Sequence, residues 1–246
     1  MRRCRKSISE GRAVLEIENL CAAYGEAAVL DRVSMHVREG EIVALLGRNG
    51  MGKTSLVRSV MGLGSPRVTG GSIRFDGTDL TGLRPNQIAG RRIGYVPQGR
   101  RLFASLTVLE HLHMLDRGRP GAWTVRRVFD AFPRLEERQR HRGNQLSGGE
   151  RQMLAIGRTL MTGPRIILMD EPTEGLAPVM VEVVEKILGT LRSEGLGALL
   201  VEQNLYSALA VADRVCLLET GRVVWEGTPA QLTAQQELLQ RYLGIH

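Results

Sequence analysis

The residues best placed to do chemistry in this 246-residue chain are Gly47-Arg48-Asn49-Gly50-Met51-Gly52-Lys53-Thr54, followed directly by Ser55. They fit G-x-x-x-x-G-K-[ST], the pattern of a phosphate loop. Glycines let the backbone curl so that successive N–H groups converge on one point, and a helix start adds the positive end of its dipole. Such a cradle holds a polyphosphate. Lys53 would reach the β- and γ-phosphates, and the Thr54 hydroxyl would ligate Mg²⁺. A second pair, Asp170-Glu171, closes the apolar run Ile166-Ile167-Leu168-Met169. A carboxylate delivered to the end of a buried strand can hold the same Mg²⁺, so Asp170 takes that role. Glu171, one residue on, is placed to polarise an attacking water. The third string is Leu146-Ser147-Gly148-Gly149-Glu150. Ser147 suits the N-cap of a helix beginning near Glu150, and the two glycines allow close backbone approach.

These groups need elements to position them, and the flanking patterns supply candidates. Residues 41–46 (EIVALL) are short and apolar enough for a buried strand, and 55–61 (SLVRSVM) carry apolar residues at helical spacing. Upstream, 13–20 and 29–37 alternate apolar and polar residues and predict strands, with Tyr24 just after the first. Residues 72–75 add a strand before the Asp76-Gly77 turn. A short helix is expected over 85–92, and 93–98 reads as a strand ended by Pro97 and carrying Gln98. From 99 to about 145 the composition turns arginine-rich, with apolar residues at helical period, and 151–161 is strongly periodic. Together these predict an inserted helical subdomain over about 99–162. Further on come a strand at 165–169, an amphipathic helix over 178–192, a strand at 197–201, a closing hairpin around Thr220-Gly221 and a last helix capped at Thr228-Pro229. The fold class expected is α/β: a phosphate-loop NTPase core with a mostly parallel sheet, an N-terminal antiparallel β subdomain and the helical insert. One domain over residues 13–243 follows a basic extension, residues 1–12.

Composition limits the function classes. Hydrophobic residues make up 43% and charged residues 24%, ordinary for a globular chain. The net charge of +7 is mostly arginine, since lysine occurs only at Lys6, Lys53 and Lys186. Outside the N-terminal Arg2, Arg3, Arg5 and Lys6 the positive charge is spread out, which suits a solvated surface near a membrane better than a nucleic-acid groove. Cys4, Cys21 and Cys216 have no metal-ligand spacing and are expected as free thiols. No apolar run is long enough to cross a bilayer, so contact with a membrane is expected through partners.

The ordered set of phosphate loop, Gln98, LSGGE and Asp170-Glu171 resembles the nucleotide-binding subunit of ATP-binding cassette (ABC) transporters, from Ala13 to the last helix. The resemblance implies ATP and Mg²⁺ as cofactors, with Tyr24 stacking on adenine and Gln98 sensing Mg²⁺ and the γ-phosphate. It also implies a second ATPase subunit packed head to tail. Leu146, Ser147, Gly148, Gly149 and Glu150 of one subunit then cap the γ-phosphate held by the other. Two integral membrane permease subunits and, indirectly, a periplasmic solute-binding protein are the other implied partners. No nucleic acid is expected. The implied location is peripheral, on the cytoplasmic face of the inner membrane.

This sequence departs from the common family pattern at two positions. Ala177 stands where an aspartate is usual, and Gln203 where a histidine is usual. Neither His111, His113 nor His141 is expected to replace it, because all three fall in the helical insert. Gln203 can donate to a γ-phosphate oxygen or a water but carries no charge, which leaves Glu171 as the main catalytic residue. Residues 95–100 with Phe103 and 106–108, then 174–178 and 201–204, are similar to the smaller ATPase subunit of branched-chain amino-acid importers, a group with relatives serving urea and short amides. A soluble ABC ATPase acting on nucleic acid or ribosomes suits the single phosphate loop and short insert less well. Intact Lys53, Thr54, Asp170 and Glu171 speak against a catalytically dead module.

Overall fold

The computed structural model describes residues 12–244 apart from Arg117 and Pro120, so the basic extension lies, except for residue 12, outside the described residues. The alternating N-terminal segments pair as antiparallel strands. β1 (Ala13–Tyr24) pairs with β2 (Ala27–Arg38) and, on its other side, with β4 (Arg67–Phe75). Between them in sequence come β3 (Ile42–Leu46) and α1 (Lys53–Val60). β5 (Thr78–Asp79) completes a four-stranded sheet in the order β2-β1-β4-β5. α2 (Pro85–Ala89) and β6 (Ile93–Val96) then lead into the insert.

The second sheet is built from the apolar runs. β7 (Ile166–Asp170) and β8 (Gly197–Glu202) flank α7 (Pro178–Ser193), and β9 (Arg214–Glu219) pairs with β10 (Arg222–Gly227). The order is β10-β9-β3-β8-β7-β6, all parallel except the β10 edge. β3, β7 and β8 are buried along their whole lengths, as strands covered on both faces must be. Their alternate residues feed opposite cores. Val43, Leu45, Leu168, Leu199 and Val201 pack with Leu56 and Val57 of α1 against Leu15 and Ile17 of the antiparallel sheet. Ile167, Met169, Ala198 and Leu200 face α7 and α6 (Gly148–Leu160) on the other side. Each such aliphatic side chain contributes roughly 1.5–3 kcal/mol of burial.

Between β6 and β7 lie α3 (Val108–His113), α4 (Val125–Ala131), α5 (Pro133–Glu137) and α6. Trp123, Val128, Phe129, Phe132 and Leu135 gather on Met153, Leu154 and Ile156 of α6. Gly157 permits that approach, because a Cβ there would sit 2.8 Å from Val128 Cγ1.

Several boundaries differ from the sequence expectation. Tyr24 ends β1 rather than following it, because bulged pairing carries the strand through Cys21-Ala22-Ala23. α1 starts at Lys53, not Ser55, with Gly52 as its N-cap. α6 starts at Gly148, directly after its Ser147 cap, rather than near Glu150. A helix not expected from the sequence, α8 (Leu205–Val211), follows β8. Asn204 caps it by accepting from the Tyr206 and Ser207 N–H groups. α9 (Pro229–Thr233) and α10 (Gln236–Leu238) close the described chain, before a single π-type turn over Leu239–Leu243. Among the described residues no helix is long and apolar enough to cross a membrane.

Candidate active site

The loop from β3 to α1 takes its shape from glycines that nothing else could replace. A Cβ on Gly47 would lie 2.4 Å from the Leu218 carbonyl oxygen, and Gly52, at φ 103°, has the Val29 carbonyl 2.9 Å from the same virtual atom. Lys53 is buried and its ammonium donates to the Gly47 and Arg48 carbonyls at 2.7 and 3.0 Å, so the loop wraps its own lysine. Burial lowers the Lys53 pKa, opposed by the nearby Glu171 and Asp170 carboxylates. The side chains of Arg48 and Met51 turn away from the cradle. Arg48 donates to the Gln240 carbonyl at 3.4 Å, and Met51 Sδ accepts from Thr220 N–H at 3.3 Å.

Beside the loop, β7 delivers its two carboxylates. Thr54 Oγ1 donates to Asp170 Oδ1 at 3.1 Å, while Asp170 Oδ2 is buried without a hydrogen-bond partner. Burial pushes the Asp170 carboxyl up to about 6. A hydroxyl and a carboxylate with one oxygen free form a hard-oxygen donor pair, which fits Mg²⁺ completed by phosphate and water. Among the described residues no group of three or more His, Cys, Asp or Glu is arranged to hold a metal.

Glu171 is the centre of the site. Its backbone adopts φ 51°, a left-handed conformation uncommon for glutamate, fixed by its N–H donating to the Val201 carbonyl at 2.9 Å. Gln203 Nε2 donates to Oε1 at 2.6 Å and Gln98 Nε2 to Oε2 at 2.8 Å. The Lys53 ammonium is 4.0 Å from Oε1. Residues from the ends of β6 and β8 and from the start of α1 thus converge on one carboxylate. Tyr24 stands at the mouth, 42% exposed, its hydroxyl 3.2 Å from Ser55 Oγ. A cavity of about 410 Å³ is lined by Tyr24, Asn49, Gly50, Gly52, Lys53, Thr54, Ser55, Gln98, Glu171 and Gln203.

Leu146 to Glu150 do not line that cavity. Ser147 Oγ accepts from Glu150 N–H at 3.2 Å and Glu150 Oε2 accepts from Ser147 N–H at 2.8 Å, a reciprocal cap at the start of α6. Leu146 is buried in the helical core. Ala177 is the N-cap of α7 and offers no capping side chain, a service an aspartate there would perform. His111 is buried between the Phe103 N–H and the Thr107 carbonyl, away from the site.

Three participants escaped the sequence reading. Glu174 Oε2 accepts from Gln98 Nε2 at 3.0 Å, Arg100 donates to the Glu174 carbonyl, and buried Glu202 accepts from Thr173 N–H and Oγ1 at 3.0 and 2.7 Å. Their contacts depend on the ends of β6, β7 and β8 lying side by side, which the strings that contain them did not reveal.

The geometry is that of a nucleoside-triphosphatase site, and comparison with known proteins agrees. The family model described as ABC transporter matches residues 30–174. Over 239 residues the chain is 42% identical to the high-affinity branched-chain amino acid transport ATP-binding protein BraG of Pseudomonas aeruginosa, covering 94% of this chain and 100% of that protein. It is 37% identical over 237 residues to the lipopolysaccharide export system ATP-binding protein LptB of Haemophilus influenzae, covering 94% and 98%. A dimeric ATP-binding cassette solved in a post-hydrolysis state with ADP and Pi superposes with a TM-score of 0.77 at 28% identity, covering 87% of this chain and 98% of that one. The chain belongs to the ABC transporter family, as an ATP-binding cassette that hydrolyses ATP in the service of transport.

Proposed function

We propose that this cassette energises an importer of branched-chain amino acids. It would act on the cytoplasmic face of the inner membrane, with two integral membrane permease subunits, a second ATPase subunit and, indirectly, a periplasmic solute-binding protein. The observation that carries this reading is the 42% identity to BraG across that protein's entire length. LptB, at 37%, supports a second reading as a lipopolysaccharide-export cassette, and a urea or short-amide importer is a third. Residues 99–162 are taken as the helical subdomain that meets the permeases.

Within the site, the loop amides of residues 47–52 and Lys53 bind the phosphates, and Tyr24 stacks on the base. Thr54 and Asp170 would hold Mg²⁺, assisted by Gln98, and the ion would supply positive charge against the transferring phosphoryl group. Glu171 orients a water and takes its proton, with Gln203 and Gln98 steering the carboxylate. Ser147, Gly148 and Gly149 complete the site of the opposite cassette through the N-terminus of α6.

Affinity purification from native membranes tests the assignment. Co-purifying permeases, a second cassette and a periplasmic amino-acid-binding protein, with leucine uptake lost on deletion, are expected. Recovery of lipopolysaccharide-export components, ribosomes or DNA in their place would overturn it.

A further inference from the structure

Arg100 follows Gln98 by two residues and serves none of the roles assigned above, yet it bonds to residue 174 and lies beside the start of α6. Gly99 and Arg100 both adopt left-handed backbone conformations, φ 87° and 52°, which turn the chain sharply after Gln98. The half-buried Arg100 guanidinium then reaches the Glu174 carbonyl and donates to it. Its two terminal nitrogens lie where glycines leave room. A Cβ on Gly148 would be 2.5 Å from Nη1, and one on Gly175 would be 3.4 Å from Nη2. Gly148 occupies the first turn of α6, where the backbone conformation does not call for glycine, and the guanidinium lies in the room its missing side chain leaves.

Two contacts from one short loop therefore hold residue 174. Gln98 grips its carboxylate and Arg100 its carbonyl. Gln98 also grips Glu171. Hydrogen bonds run from Glu171 through Gln98 and Glu174 to Arg100, whose guanidinium lies beside Gly148. A cavity of about 400 Å³ beside this chain, bordered by Arg100, Arg151, Gln152, Glu171 and Glu174, leaves space for the guanidinium to move.

We infer that Arg100 is a positioning residue that couples the occupancy of a cassette's own nucleotide site to the placement of its Ser147-Gly148-Gly149 turn, which serves the opposite cassette. The inference rests on the two-cassette reading given above. When Gln98 leaves Glu174 to meet an incoming γ-phosphate, Arg100 becomes the remaining tie on residue 174 and carries its shift to the start of α6. Each cassette then reports its loading to the site across the interface, and hydrolysis becomes cooperative in ATP.

Steady-state ATPase activity of the full chain against ATP concentration tests this, comparing wild type with Arg100→Ala and Arg100→Lys. Binding of a fluorescent ATP analogue and ATP-driven dimer formation of Glu171→Gln, with and without Arg100→Ala, complete the set. Wild type should show a Hill coefficient approaching about 2. Arg100→Ala should bind the analogue within about twofold of wild type, lose about tenfold in kcat and fall to a Hill coefficient near 1. Arg100→Lys, which keeps the charge but not the two-handed reach, should recover part of both. Arg100→Ala with unchanged cooperativity, at whatever kcat or melting temperature, overturns the inference, because a structural role alone would lower stability and leave the Hill coefficient in place. A Glu171→Gln protein that stays monomeric in ATP would instead remove pairing of this chain with a second copy of itself, and the inference with it.

Discussion

Glu171 and Asp170 are neighbours in one strand end, yet they do opposite things to the protein. Glu171 is compensated on both oxygens by Gln98 and Gln203, whereas Asp170 keeps one buried oxygen with no partner. Glu171→Gln should retain ATP binding and lose turnover by roughly 10²–10⁴-fold, measured by phosphate release beside nucleotide binding; turnover at the wild-type rate would remove Glu171 as the base. For Asp170 the sign runs against stability. Its carboxyl is raised from 3.8 to about 6 by burial, so above about 6 the fold carries a charge it disfavours, and that penalty fades as the pH falls toward 3.8. Asp170→Asn should therefore melt several degrees higher at pH 8, at roughly 2–4 °C per kcal/mol. It should also lose the extra stabilisation that Mg²⁺ with ATP gives the wild type, as scanning calorimetry can check. Gly47 to Thr54, Ser147 and Asp170-Glu171 were legible because each motif is contiguous and carries its own local reason for its shape. The convergence of Gln98 and Gln203 on Glu171 had no such signal. It arises where three strands end side by side.

At the level of elements, boundaries were read well where apolar periodicity and capping residues agreed, and poorly where the pattern was short or weak. Asn204 caps α8, which is only seven residues long and carries too short a pattern to announce itself. β1 runs on through Cys21-Ala22-Ala23 because bulges keep its pairing with both neighbours despite weak alternation. Within the insert, α3 is fastened by a buried histidine. His111 Nε2 accepts from the Phe103 N–H at 3.0 Å and Nδ1 donates to the Thr107 carbonyl at 2.7 Å, a pattern only the neutral ring can satisfy. Burial lowers its pKa below 6.5, opposed by the Thr107 carbonyl. The stability it contributes is thus present above about 6.5 and is lost as the pH falls through its depressed folded value. His111→Asn should flatten the dependence of melting temperature on pH over the acid side of neutrality, relative to wild type; parallel curves would show that His111 does not titrate there.

Across the whole molecule, Arg214 ties the two sheets together at the end remote from the nucleotide. Arg214 on β9 donates to both oxygens of Glu41 at 2.7 and 3.1 Å, to Glu226 of β10 at 2.6 Å and to the His36 carbonyl of β2 at 2.6 Å. With its side chain only 12% exposed, removing it strands buried carboxylate charge between the sheets. Arg214→Ala should cost roughly 3–5 kcal/mol in urea unfolding, with little response to added salt. Overall class was readable from the alternation of strands and helices, but a tie of this kind, between residues far apart in the chain, was not.

The nucleotide cavity straddles the same two sheets, with Tyr24 from the antiparallel one at its open mouth and the catalytic groups from the parallel one at its floor. A half-exposed tyrosine offers a flat face, and a face stacks on adenine and guanine alike without reading their edges. On the stacking role proposed for Tyr24, the cavity would not discriminate between the two purines. GTP should support turnover within about tenfold of ATP, and Tyr24→Ala should weaken both to a similar degree. A strong preference for ATP in competition assays would mean that some other group reads the purine edge. Transport driven by this cassette would follow the total purine triphosphate pool, continuing when ATP alone runs short.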